Sequence, residues 1–206
     1  MVQSVIHNYK GRVKLNNFFV LAGPSGVGKT FLINSLIAAK PDDIVHPLTY
    51  TTRPIRAGEV NGRDMNFISH ALFTPRLIGK EFLASTEYDG HYYGTLKEDI
   101  LNPINQGKKV VVAFDESGVE CVRHSGYGAT YCYLYAPSTR DLEKRLLHRW
   151  PEKGDDYGRR LGQSIQELRR FQTDSKFQNK FDCWVCVEDD ITLVVKSMLE
   201  LMGFYV

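Results

Sequence analysis

The residues whose spacing carries the most chemistry are Gly23-Pro24-Ser25-Gly26-Val27-Gly28-Lys29-Thr30, which satisfy the pattern Gly-x-x-x-x-Gly-Lys-[Ser/Thr]. Glycines let the backbone curl so that successive N–H groups point inward at an anion, and a helix starting there adds the partial positive charge of its N-terminus. Lys29 supplies a mobile full charge for β- and γ-phosphates, and Thr30 a hydroxyl for Mg²⁺. A site for a nucleoside triphosphate such as ATP is therefore assigned to Gly23, Ser25, Gly26, Val27, Gly28, Lys29 and Thr30. Such a loop alone does not separate a kinase from a GTPase or a motor ATPase. A second anion site does: Thr51-Thr52-Arg53-Pro54-Ile55-Arg56-Ala57-Gly58-Glu59 places two guanidiniums three residues apart in a turn-rich stretch, where both can clamp one phosphate dianion.

These residues need elements to hold them. Asn17–Ala22 is a short, almost wholly apolar run that predicts a strand buried on both faces, and the apolar spacing after Lys29 predicts a helix that Pro41 stops. Pro47–Ser69 reads as short strands and turns, with Gly58 and Asn61-Gly62 as turn residues. After a short helix, Glu81–Ser85 and His91–Thr95 predict a hairpin closed by Asp89-Gly90. Leu96–Asn105 reads as a helix and Lys109–Asp115 as a central parallel strand that Asp115 closes, with Tyr131–Ala136 as the next strand. Ser138 and Asp141 have capping-box spacing for a helix that carries Arg145 and Arg149. Trp150–Gly158 is polar and reads as a mobile lid, and Asp182–Val187 followed by Ile191–Leu201 reads as a last strand and helix.

Composition sets the boundaries. A chain of 206 residues, 43% apolar and 24% charged, can bury one compact core and is not a disordered or collagenous sequence. A net charge of +2 does not mark a protein held to nucleic acid by bulk electrostatics, and the arginines at 159, 160, 169 and 170 read as a solvated helix face. No stretch has the length of a signal peptide core or a membrane span, so a soluble, cytoplasmic protein is expected. The four cysteines are too scattered for a disulfide framework, Cys183-x-x-Cys186 lacks a second pair for zinc, and the six histidines show no metal spacing.

Several blocks, in order, resemble the guanylate kinases, which transfer the γ-phosphoryl group of ATP to GMP or dGMP. These are the glycine-rich loop, Thr51-Thr52-Arg53-x-x-Arg56-x-Gly58-Glu59-x-x-Gly62-x-Asp64, Gly90-x-Tyr92-Tyr93-Gly94-Thr95, Asp115 at a strand end, Pro137-Ser138 ahead of a helix ending in Arg149, and Arg159-Arg160-Leu161 with Glu167. The resemblance spans Phe18 to the C-terminal helix. It implies an α/β fold of the P-loop NTPase type: a parallel sheet flanked by helices, a small mixed-strand insertion and a helical lid. Residues 1–206 then form a single domain, with the core at about 17–46, 96–145 and 172–206, the monophosphate-binding region at about 47–95 and the lid at about 146–171. By the resemblance Arg53, Arg56 and Tyr93 grip the acceptor monophosphate, Thr49, Thr95 and Asp115 lie near its base, and Arg149 and Arg160 close over ATP. Lys29, Arg53, Arg149 and Arg160 are thus the catalytic candidates, with ATP, Mg²⁺ and a small nucleoside monophosphate as the implied partners.

The departures fall on the base. Where the family has Phe-Leu-Glu, with the Glu accepting from the guanine ring N–H and amino group, this chain reads Phe82-Leu83-Ala84. Met65 replaces a tyrosine that contacts the acceptor phosphate, Ala113 a strand-end aspartate, and Glu188 an asparagine near the ATP base. Glu87, three residues past Ala84, points to the other face of an extended strand. The expectation is GMP or dGMP as acceptor. The alternatives are a divergent (deoxy)nucleotide kinase for a different or modified base, and a non-catalytic binding module of the same fold, against which the intact Lys29 and Thr30 argue.

Overall fold

Apolar runs bounded by glycine-rich turns become interior strands where helices cover both faces of a sheet. The structure, a computed structural model, describes residues 5–7, 17–149 and 155–205. Its elements are β1 (Ile6–His7), β2 (Phe18–Ala22), α1 (Lys29–Ala39), β3 (Ile44–Val45), β4 (Tyr50–Thr51), β5 (Asn66–Phe67), α2 (His70–Ile78), β6 (Phe82–Tyr88), β7 (His91–Leu96), α3 (Lys97–Asn105), β8 (Lys109–Ala113), α4 (Glu116–His124), β9 (Thr130–Tyr135), α5 (Thr139–Arg149), α6 (Asp155–Thr173), α7 (Ser175–Gln178), β10 (Cys183–Cys186) and α8 (Ile191–Leu201).

The first sheet runs β1-β10-β9-β2-β8-β3, parallel except for the antiparallel edge strand β1. Residues of β2 alternate between two cores. Phe19 and Leu21 pack with Leu32, Ile33 and Leu36 of α1 and with Val194 and Met198 of α8. Phe18, Val20 and Ala22 pack with Val119 and Val122 of α4 and with Phe171, Phe177 and Phe181. Tyr131 and Tyr133 join that second face, as core rather than as a stacking surface. Cys132 and Cys183 are buried opposite each other on neighbouring parallel strands. After β2 the chain passes to β3 on one side, and after β8 it passes to β9 on the other. The two crossovers part at β2, so a crevice opens at the carboxyl end of that strand.

The second sheet, β5-β4-β7-β6, is built from the turn-rich insertion. Asp89 and Gly90 both take positive φ, 53° and 71°, as a two-residue hairpin turn requires. A bulge between Phe82 and Ala84 shifts the register of β6, so Leu83 is the unpaired extra residue. Phe73 of α2, fully buried, stacks on Phe82 at 4.4 Å and on Tyr92 at 5.5 Å, and with Leu96 these rings form a core of their own. Gly94 is needed there, because a Cβ would lie 2.6 Å from the Phe82 ring.

Two expectations are corrected. Residues 155–158, read as loop, are the first turn of α6, while residues 150–154 lie outside the described residues. Glu116–His124, given no element in the sequence reading, is the helix α4. Among the described residues no helix is long and apolar enough to cross a membrane.

Because the insertion depends on so small a core, Phe73→Ala should lower unfolding free energy by about 3–5 kcal/mol, while Leu72→Ala at its exposed neighbour stays within about 0.5 kcal/mol. Urea unfolding of the two variants measures both; equal, small losses would show that the rings do not hold the sheet.

Candidate active site

The loop between β2 and α1 is shaped by close approaches. A Cβ on Gly23, at φ 140°, would lie 2.2 Å from the Leu134 carbonyl oxygen of β9, and one on Gly26 would lie 2.6 Å from Cγ of Leu146 on α5. Gly28 caps α1 in the left-handed conformation with no side-chain acceptor, so no side chain occupies the N–H groups that begin the helix. The Lys29 ammonium folds back over the loop, donating to the Gly23 carbonyl and, at 3.0 Å, to that of Pro24.

A cavity of about 930 Å³ opens over this loop. Gly23, Ser25, Gly26, Gly28, Lys29 and Thr30 line its floor, Ala113 to Ser117 one wall, and Arg145 and Glu167 the opposite side. Burial pushes the Glu167 carboxyl above its ordinary range, partly offset by the charge of Lys29 and a hydrogen bond from the Tyr133 hydroxyl at 3.3 Å. Arg145 donates to the carbonyls of Val27 at 3.2 Å and Val187 at 2.8 Å and to Asp189 at 3.1 Å. It also borders an adjoining cavity of about 320 Å³, whose walls include Val27, Phe31, His148, Glu188 and Ile191. A nucleotide with its phosphates on the loop has room there for its base.

A further cavity, of about 230 Å³, lies between the two sheets. Thr49, Met65, Tyr93, Thr95 and the Ala84-Ser85-Thr86 run of β6 line it, and it shares Ala113, Phe114, Asp115 and Ser117 with the large cavity. The two spaces therefore meet across the end of β8. Asp115 at that boundary caps α4: its Oδ1 accepts from the Gly118 N–H and the Ser117 hydroxyl, each at 2.8 Å. Glu87 is exposed and does not line this cavity.

The two arginines of the turn-rich segment do not sit alike. Arg53 is 7% exposed and gripped by Glu59, with Nη1 on Oε2 at 2.7 Å and Nη2 on Oε1 at 2.6 Å. Its guanidinium lies 5.1 Å over the Phe67 ring, beside the Tyr93 hydroxyl and 3.6 Å from the Met65 sulfur. Arg56 is exposed, and its backbone N–H donates to Glu59 at 2.9 Å. Arg160 is half-buried on α6 and lines neither cavity. Arg149 ends α5, and its side chain lies outside the described residues. Arg145, Phe31 and Ser117 line the site although the sequence reading gave them no role in it. The spacing of Arg145 four before Arg149 on one helix was the available signal for the first; Phe31 and Ser117 had none.

A family model described as guanylate kinase matches residues 16–203. The chain is 40% identical over 179 residues to the guanylate kinase of Trichormus variabilis, covering 87% of this chain and 85% of that one. It is 36% identical over 180 residues to the guanylate kinase of Thermotoga maritima, covering 86% and 83%. A crystal structure of guanylate kinase from Anaplasma phagocytophilum superimposes with a TM-score of 0.66 at 21% identity, covering 90% and 84%, and so shares the fold.

Arg53, chiefly through its hydrogen bonds, lowers the Glu59 carboxyl from an ordinary value near 4.5 to about 2, with help from the Arg56 N–H. A depressed folded-state pKa gives stability that is present above the unfolded value and lost as pH falls through the folded one. Acid unfolding of Glu59→Gln should therefore be less pH-dependent between about pH 4.5 and 2 than that of the wild type. Superimposable acid limbs would show that the pair does not form in solution.

Proposed function

Because the chain belongs to the guanylate kinase family, we propose that it transfers the γ-phosphoryl group of ATP to GMP or dGMP across the boundary between the two cavities. The observation that carries this is the shared wall. One space has a phosphate-binding loop for a floor, the other has hydroxyls and a tyrosine beside a buried arginine, and only Ala113, Phe114, Asp115 and Ser117 stand between them. Two phosphates held there would lie end to end, as in-line transfer needs.

The residues divide the work by charge. The loop N–H groups and Lys29 take the triphosphate, Lys29 exchanging two neutral carbonyls for phosphate oxygens. Arg145 borders both the large cavity, taken as the site of the donor phosphates, and the adjoining one, taken as the site of the donor base; Arg149 and Arg160 are assigned, by the resemblance, to close over ATP. At the acceptor, Arg53, Arg56 and Tyr93 hold the monophosphate, with Glu59 fixing the Arg53 fork so that little side-chain freedom is lost on binding. The acceptor phosphate oxygen is already ionised at neutral pH, so positioning and charge neutralisation carry the rate without a general base. Thr30 and Asp115, whose Oδ1 is taken by the helix cap, both line the donor cavity, and their oxygens are of the hard kind suited to Mg²⁺. When bound, Mg²⁺ supplies charge for the β- and γ-phosphates.

A second reading concerns the base. Ala84, Ala113 and Gly118 leave the acceptor cavity lined by hydroxyl-bearing residues, Thr49, Ser85, Thr86, Tyr93, Thr95 and Ser117, and, among the described residues, by one carboxylate, Asp115, half of which caps a helix. A hydroxyl both donates and accepts, so it rejects few bases. This favours an acceptor range wider than guanine, including other or modified bases.

Lys29→Ala should lower GMP-dependent ADP release from ATP at least about a hundredfold, in a protein that unfolds at the wild-type temperature. Wild-type turnover in that variant would remove the assignment. Ala84→Glu should raise the kcat/KM preference for GMP over IMP by about tenfold or more, and an unchanged ratio would place base recognition on other residues.

A further inference from the structure

We infer that Tyr88 and Arg159 form a positioning contact through which occupation of the acceptor cavity sets α6 over the donor cavity; the inference rests on the kinase reading above. Tyr88 is the last residue of β6, beside the Asp89-Gly90 turn, and its side chain is 44% exposed. Arg159, in the second turn of α6, donates from Nη2 to the Tyr88 hydroxyl, and its guanidinium carbon lies 5.8 Å from the Tyr88 ring centroid. The pair joins segments 71 residues apart. Each segment serves a different cavity. The hairpin that ends in Tyr88 gives Ser85, Thr86 and Tyr93 to the acceptor side. The helix that carries Arg159 gives Glu167 to the donor side and bears Arg160 as its next residue.

The packing shows why a surface contact can matter here. Along β6 only Phe82, Leu83 and Ala84 are buried, and Ser85 to Tyr88 are exposed. The outer half of the hairpin is held from β7, where Tyr92 stacks on Phe73 at 5.5 Å, and β6 adds no buried residue to it beyond Ala84. On α6 the buried apolar anchors, Leu168 and Phe171, lie about two to three turns beyond Arg159, while Tyr157 and Leu161 beside it are only partly buried against the core. Both ends of the contact are therefore less deeply packed than the rest of their elements, and their positions change at lower cost. A nucleoside monophosphate whose phosphate is held by Arg53, Arg56 and Tyr93 and which lies against Ser85 and Thr86 fixes the hairpin, and a fixed Tyr88 gives Arg159 a fixed partner through both its charge and its planar face. The first half of α6 is then ordered before ATP arrives, and ATP binds with less ordering left to do. By linkage the same coupling tightens GMP when ATP binds first. Tyr88 and Arg159 touch neither substrate in this scheme; they act through Arg160 and Glu167.

The test is a double-mutant cycle read in nucleotide affinities. The Kd of a non-hydrolysable ATP analogue, β,γ-imido-ATP, is measured with and without saturating GMP, in the wild type, Tyr88→Phe, Arg159→Gln and the double variant. Saturating GMP should tighten the analogue in the wild type, and each single variant should lose about threefold or more of that tightening. Binary affinities for either nucleotide should stay within about twofold, and the double variant should lose no more than the worse single one. Arg159→Lys, which keeps a donor and a charge, should recover part of the effect. Unchanged tightening in both single variants, equal losses in the binary affinities, or additive losses in the double variant would each overturn the inference. A wild type that phosphorylates GMP yet shows no mutual tightening would overturn it alone. Failure to phosphorylate GMP would bring down the kinase reading, and this inference with it.

Discussion

The hydrogen-bonded register between β2 and β8 is the constraint on which the site depends. Leu21 pairs with Ala113, and the Phe114 N–H donates to the Leu21 carbonyl at 3.0 Å. Two parallel strands that end together release their loops side by side. One loop becomes the phosphate cradle and the other becomes the Phe114-Asp115 turn, so a single thin wall serves both cavities. The inserted sheet only has to bring Thr49, Thr86, Tyr93 and Thr95 to the far side of that wall. Its own small core of Phe73, Phe82 and Leu96 lets it do so without joining the main sheet.

The cations of the site are held in advance by oxygens of the protein, and the kind of oxygen differs with the task. Lys29 rests on two neutral carbonyls, which a phosphate easily outbids. Arg145 is held by two carbonyls and Asp189, at the seam between phosphate and base. Arg53 is held by a full carboxylate through both nitrogens of its fork, at 2.7 and 2.6 Å. On the proposed reading, a lysine held by carbonyls that phosphate can displace serves the triphosphate, and an arginine fixed by a carboxylate serves the monophosphate.

What the sequence made legible were features with local causes. The strand, loop and helix around Lys29, the Asp89-Gly90 hairpin and the helix at Ile191–Leu201 are each written in short-range pattern and stand where that pattern places them. The capping box also forms, with the Ser138 hydroxyl and the Asp141 carboxylate bonded at 2.6 Å. What escaped were features with distant causes. Helix α4 begins Glu-Ser-Gly and has a polar mean, and it forms because Asp115 caps it and Val119 and Val122 find the sheet. The different postures of Arg53 and Arg56 depend on Glu59 turning back over three residues of loop, which no periodicity reports. The bulge at Leu83 comes from pairing with β7, and the contribution of Arg145 depends on where α5 crosses the phosphate loop.

The central claim is that the two cavities are halves of one reaction cleft separated by the end of β8. Binding of a single molecule that must occupy both tests it most directly: adenosine and guanosine joined 5′ to 5′ through five phosphates, titrated calorimetrically beside ATP and GMP. The account predicts one site per chain, competition with both mononucleotides, and affinity at least about tenfold above that of either. Binding no tighter than ATP, with GMP still able to bind at the same time, would contradict it.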